Sequence, residues 1–287
     1  MQQASPSTAK AAVWMAGWLT LMLVIAVAGR EATRDVAVFQ LMLLRSSIGL
    51  LLLWPLLHAG GGRAAIRTRR LREHAARNLV HYAAQYGWFA ALTLIPLAQV
   101  VAIEFTMPVW TTLLAAAFLG ERITRCKLLA VALGLLGVAL VVRPQAAGLN
   151  AGHAVALAAA LGFAVSVTLT KSLTRSDDAL TIIFWMLVVQ SLLGVLPALA
   201  VWRWPAAAGW GWIVLVAFCG TFSHYCMARA LRHAEATVVV PMDYLRVPLT
   251  ALAGWLIYAE RMDLPTVLGA ALILGANLLN TRRAAAR

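Results

Sequence analysis

The chain has 287 residues, 62% of them hydrophobic and only 12% charged, with a formal net charge of +13 and a mean hydropathy of +0.81. A soluble domain is about 45–50% apolar and about 25% charged, which excludes that class, and the charges fall in short clusters between apolar runs, as in a polytopic helical membrane protein. The basic residues sit in loops without interleaved aromatics, so anionic headgroups account for the excess and nucleic acid is not an expected partner.

Ten apolar segments follow one another, at approximately 11–29, 38–57, 78–95, 97–119, 126–142, 152–170, 179–200, 209–230, 235–258 and 264–281. Most approach the roughly 20 residues that a spanning helix needs at ~1.5 Å rise. The shorter ones can cross a locally adjusted bilayer. The first has Lys10 in front and an Ala26-Val27-Ala28 triplet resembling a signal-peptide cleavage site. Its apolar run is longer than a signal core, so it is read as an uncleaved span. Trp14 and Trp18 lie on it; Trp14 also suits an interface anchor.

Span 2 carries Arg45. Its guanidinium could take a substrate carboxylate bidentately, pair with Glu104, or snorkel to the outer interface. On span 3, His81, Gln85 and Trp88 share one face at helical spacing, with Tyr82 beside them and Tyr86 and Phe89 further round. Span 4 holds Glu104, Phe105 and Pro108, and ends in Glu121-Arg122. A charge in hydrocarbon costs roughly 2.5–3.5 kcal/mol on insertion scales, so Glu104 must be paired, protonated or turned to water.

In the second half, Phe163 and Ser166 on span 6 extend an aromatic and polar wall, and Thr221, His224 and Tyr225 on span 8 stand at similar depth. Trp202, Trp204, Trp210 and Trp212 read as an outer aromatic belt. Span 9 holds Asp243 and Tyr244, with Arg246 placed to pair with Asp243 at i,i+3. Pro108, Pro241 and Pro248 remove helix hydrogen bonds at mid-depth and predict bends or hinges. Cys126, Cys219 and Cys226 have no metal or disulfide spacing and read as reduced packing residues.

The halves repeat. Glu104-Phe105 and Glu121-Arg122 recur 139 residues later as Asp243-Tyr244 and Glu260-Arg261, with a proline soon after each acid, Pro108 and Pro248, and each acid precedes its Glu-Arg pair by 17 residues. Gln85-Tyr86 and His224-Tyr225 obey the same offset, while the counterpart on span 7 of Arg45 on span 2 is neutral Gln190. Glu121 and Glu260, at opposite faces, suit gate clamps or simple helix-end pairs. Glycines at 134 and 137, and at 269 and 275, mark spans 5 and 10 as packing or dimer faces.

By loop parity, 17 Lys and Arg fall on the side of the termini and five on the other. Both termini are therefore expected in the cytoplasm. Five spans per half is an odd number, so the second half enters from the opposite side. The expected fold is all-α and membrane-integral: ten helices in two inverted five-helix repeats, residues 1–147 and 148–287.

Ten helices in two inverted halves, each with a proline-bearing fourth helix ending in Gly120-Glu121-Arg122 or Ala259-Glu260-Arg261, resemble the drug/metabolite transporter superfamily, with the EamA-type branch nearest. The likeness covers nearly the whole chain. It implies alternating access around a central cavity between the halves. Within that branch, the length and the aromatic, polar-dotted middle helices are similar to aromatic amino acid exporters of the YddG type.

The expected activity is export of small amphipathic metabolites, amino acids including aromatic ones foremost, across a bacterial inner membrane by a monomer or homodimer without a cofactor. Expected substrate contacts are Trp18, His81, Tyr82, Gln85, Trp88, Glu104, Phe163, Ser166, His224, Tyr225, Asp243 and Tyr244. Arg45, Pro108, Pro248, Arg246, Glu121 and Glu260 are expected to gate or brace. Export of cationic or drug-like compounds is the alternative; a channel stands further off. An embedded enzyme lacks its His-Glu-x-x-His, Gly-x-Gly-Asp, P-loop or Gly-x-Ser-x-Gly motif.

Overall fold

The computed structural model describes residues 7–59, 62, 66–95, 97–120, 123–142 and 150–258, together with 264, 265, 267–269, 271, 272 and 275. These residues form helices and no strand. Spans 1, 2, 6, 7 and 8 are single helices, Thr8–Ala32, Val38–Ala59, Ala151–Leu173, Ala179–Ala200 and Ala207–His233, each long and apolar enough to cross a bilayer. Span 3, Leu71–Leu94, begins seven residues before its apolar run because Leu71 to Arg77 are carried on the same helix. Span 5 is Arg125–Val142. With span 4 and span 9 each built from shorter pieces, and span 10 only partly among the described residues, the chain is a ten-span, two-repeat helical membrane protein.

The first helix of each half is capped from its own sequence. Ser7 accepts a hydrogen bond from the Lys10 N–H at 3.3 Å, and Asn150 accepts one from Gly152 at 2.9 Å. Each satisfies an orphan donor of the first turn.

Apolar side chains point both inward and outward, while several charged and amide side chains lie wholly inside. Leu51, Phe118 and Leu196 are 73%, 76% and 79% exposed, whereas Arg45, Gln190, Asp243 and Arg246 are all 0% exposed. That distribution is stable only where the surrounding medium is hydrocarbon.

The halves interlock by exchange. Span 1 packs most extensively on span 8, span 3 on span 6, and span 2 on span 7. Swapping each span for its counterpart five places on turns this set of contacts into itself. Spans 4 and 9 cross each other in the same sense: the first piece of one packs on the second piece of the other, and conversely. Two equivalent helices that cross antiparallel must come from inverted repeats. Small residues permit the approach; a Cβ on Gly49 of span 2 would collide with Thr221 of span 8, and one on Gly29 would lie 2.7 Å from the Phe89 ring.

Candidate functional site

Both acids sit where their helices break. Span 4 runs Leu97–Glu104, turns at Phe105 and Thr106, and resumes as Met107–Leu119. Pro108 stands in the first turn of the second piece, where a missing N–H leaves no bond unmade. Span 9 runs Ala236–Met242, tightens into a 3₁₀ turn at Asp243–Leu245, and resumes as Arg246–Tyr258. The side chains of Pro108, Pro248 and Tyr244 lie outside the description, as do Glu121 and Glu260 entirely, so their proposed gating and contact roles stay with the sequence.

Where the two breaks meet, one guanidinium bridges both acids. Arg246 donates to Glu104 at 2.6 Å and to Asp243 at 2.8 Å. Its charge also lies 5.1 Å from the centre of the Phe105 ring, a favourable cation–π distance. Each carboxylate takes a second, neutral donor. The Trp88 indole N–H donates to Glu104, and that of Trp18 to Asp243, both at 2.7 Å. Two carboxylates around one cation leave a surplus negative charge, spread over two indole donors. Symmetry breaks here, because the position equivalent to Arg246 is Met107, 3% exposed.

This arrangement corrects one pairing. Glu104 is held by Arg246, 142 positions along the chain, and Arg45 is not its partner. Nor does Arg45 snorkel. It is fully buried against Gln85, Gln190 and the Gly220 carbonyl, because the glycine lets span 8 approach until there is room only for the guanidinium; a Cβ there would collide with it.

Beside the ion cluster lies a cavity of about 60 Å³ between the halves. Its walls are Trp18, Trp88, Phe89 and Phe163, with His81, His224, Gln85, Ser166, Thr170, Glu104, Arg45 and Arg77 among the polar lining. His81 and His224 stand edge to face at 4.8 Å, and the Ser166 hydroxyl lies 3.1 Å from His81 Nδ1. Trp18 meets the His224 ring at 5.6 Å. The volume suits a few waters, whereas ligand pockets run to about 300–1,000 Å³; a metabolite requires the walls to part.

Eight of the expected contacts line this cavity: Trp18, His81, Gln85, Trp88, Glu104, Phe163, Ser166 and His224. Asp243 stands one shell behind, beneath Trp18. Tyr82 and Tyr225 do not line it. Tyr82 turns toward span 7, where its hydroxyl would be 3.3 Å from a Cβ on Gly194, because it sits one residue round the helix from His81. Tyr225 instead packs edge-on to Trp14 at 5.7 Å, and Arg229 lies over both rings.

Arg77 precedes the apolar run of span 3 and is absent from the expected contacts, yet it lines the cavity. The signal was present. Arg77, His81, Gln85 and Trp88 follow at four, four and three residues, one continuous face of span 3.

Residues 9–143 match the EamA-like transporter family, and residues 150–282 match it again. The chain belongs to that family. It is a multi-pass membrane transporter of the drug/metabolite superfamily and not an enzyme. A riboflavin transporter from Rhizobium johnstonii is 32% identical over 77% of this chain and 74% of its own length. An S-adenosylmethionine uptake transporter from Rickettsia prowazekii is 25% identical over 76% and 74%. A pseudopaline exporter from Pseudomonas aeruginosa is 26% identical over 88% and 89%. One crystal structure superposes with a TM-score of 0.79 at 19% identity, covering 97% of this chain and 99% of that one, a likeness of fold.

Proposed function

We propose that this EamA-like protein moves small amphipathic metabolites by alternating access, with amino acids, aromatic ones included, as the exported class. One observation carries the reading: an aromatic cavity beside the crossing of two broken helices, lined by the Glu104 carboxylate and by the Arg45 and Arg77 guanidiniums. Rings of Trp18, Trp88 and Phe163 suit a flat solute, and the charges of both signs suit a zwitterion. Helix breaks at mid-membrane are where transporter folds place their sites. The two repeats, 1–147 and 148–287, rock about this crossing.

A flavin-like solute is the second reading, favoured by the 32% identity to a riboflavin transporter and by the same flat aromatic walls. Cationic drugs fit less well, because Arg246 already neutralises one of the two acids. The charge bias of the loops supports an inner-membrane protein with both ends in the cytoplasm, as a monomer or homodimer.

Counterflow in proteoliposomes with labelled amino acids, riboflavin and S-adenosylmethionine, at two pH values, tests this. Accumulation of tryptophan or phenylalanine is the expected result. Accumulation of riboflavin alone favours the second reading, and accumulation of S-adenosylmethionine alone sinks both.

A further inference from the structure

Among the described residues, three guanidiniums face the interior of the bundle near the cavity, and one of the three has carboxylate partners. Arg246 is held by Glu104 and Asp243. Arg45 and Arg77, 0% and 3% exposed, have neutral partners alone among the described residues. Arg45 donates to the side-chain oxygens of Gln85 and Gln190 at 3.1 Å each, and to the Gly220 carbonyl at 3.4 Å. Arg77 donates to Asn78 at 2.6 Å and to Thr170 at 3.2 Å.

Both line the same cavity, and the Arg45 Nε is buried with no acceptor. A cation taken out of water without a counter-ion is strongly unfavourable, and two within one cavity more so, since they repel. Amide and hydroxyl oxygens orient such groups without neutralising them. The arrangement is that of a site awaiting an anion, with planar forks suited to an oxyanion.

We infer that Arg45 and Arg77 form an anion subsite, and that the transported solute carries a carboxylate that lodges there as their counter-ion. Its ring then lies against Trp18, Trp88, His81 and His224, which line the same cavity. This deepens the transport reading above and rests on it. It places cationic solutes without a carboxylate outside the range of the protein.

The test uses the purified full chain in detergent and two probes of matched shape and opposite charge, indole-3-acetate and tryptamine. Thermal melts are titrated with each, in chloride and in chloride-free nitrate buffer. Indole-3-acetate is expected to raise the melting temperature, with tryptamine at least about tenfold weaker. Arg45→Gln and Arg77→Gln should each weaken indole-3-acetate by at least about tenfold, one charge-assisted bond being lost. Arg45→Lys, which keeps the charge and loses the fork, should fall between. It stands in as the readout where the glutamine variant does not fold.

Equal stabilisation by both probes, stabilisation by neither, undiminished indole-3-acetate binding in the variants, or full protection by chloride alone overturns the proposal. Counterflow of tryptophan is read separately. Its absence alongside intact indole-3-acetate binding removes the amino-acid assignment and leaves the anion subsite standing.

Discussion

Replacing Arg246 by methionine turns the second half of the ion cluster into a copy of the first, where Met107 holds the equivalent place. Met keeps the unbranched stem of Arg and loses the guanidinium, so the electrical loss dominates. Two charge-assisted bonds disappear, to Glu104 at 2.6 Å and to Asp243 at 2.8 Å. The two carboxylates then share a buried site with only the Trp88 and Trp18 indoles to hold them. Removing one partner of a buried ion pair costs about 3–5 kcal/mol, because the survivor is left uncompensated.

Arg246→Met should therefore lower the melting temperature of the detergent-purified protein steeply and cut the yield of monodisperse material. Neutralising the acids in the same chain, Glu104→Gln with Asp243→Asn, should restore most of the loss, since a neutral cluster has no orphan charge. The decisive comparison is single against triple variant in fluorescence-monitored melts. An Arg246→Met protein as stable as wild type, or a triple variant no better than the single, refutes the assignment of Arg246 as the brace between the two broken helices.

Trp18→Phe and Trp88→Phe each delete one indole donor to a carboxylate; each should cost about 1.5–3 kcal/mol in the same melts, and the two should couple through Arg246 in a double-mutant cycle. Gly220→Ala drives a methyl group into the Arg45 guanidinium and should weaken indole-3-acetate binding, while Gly211→Ala on the same helix, with open space around its Cβ, should leave it unchanged. Tyr82→Phe removes a buried hydroxyl that has no hydrogen-bond partner; stability should stay equal or rise slightly, and binding should not change. Burial alone would raise the Asp177 carboxyl in the loop after span 6, but hydrogen bonds from His74 and Thr68 hold it below its ordinary value of 3.8. A group depressed on folding stabilises above its unfolded pKa, and that share is lost as pH falls through the folded one. Asp177→Asn should flatten the acid limb of stability measured below about pH 4 and lower stability near neutrality.

Much of this architecture is written in one dimension. Hydropathy runs and their spacing are local properties, so ten spans, the 139-residue repeat and the two acids could be read directly. The face formed by His81, Gln85 and Trp88 is likewise a consequence of helical period. Composition marks boundaries less sharply: the apolar run of span 3 begins after Arg77, yet the helix and its stripe include that residue.

Tertiary structure decided which charge meets which. Arg246 reaches Glu104 across 142 positions because two helices break and cross at those residues, and crossing geometry is set by packing between spans that no periodicity records. The same packing buries Arg45 against Gly220 and leaves it with neutral partners, where the sequence left a pair with Glu104 open. Helix period determines which residues share a face. Only the arrangement of the faces around one another decides which of their charges are satisfied and which are left open to a solute.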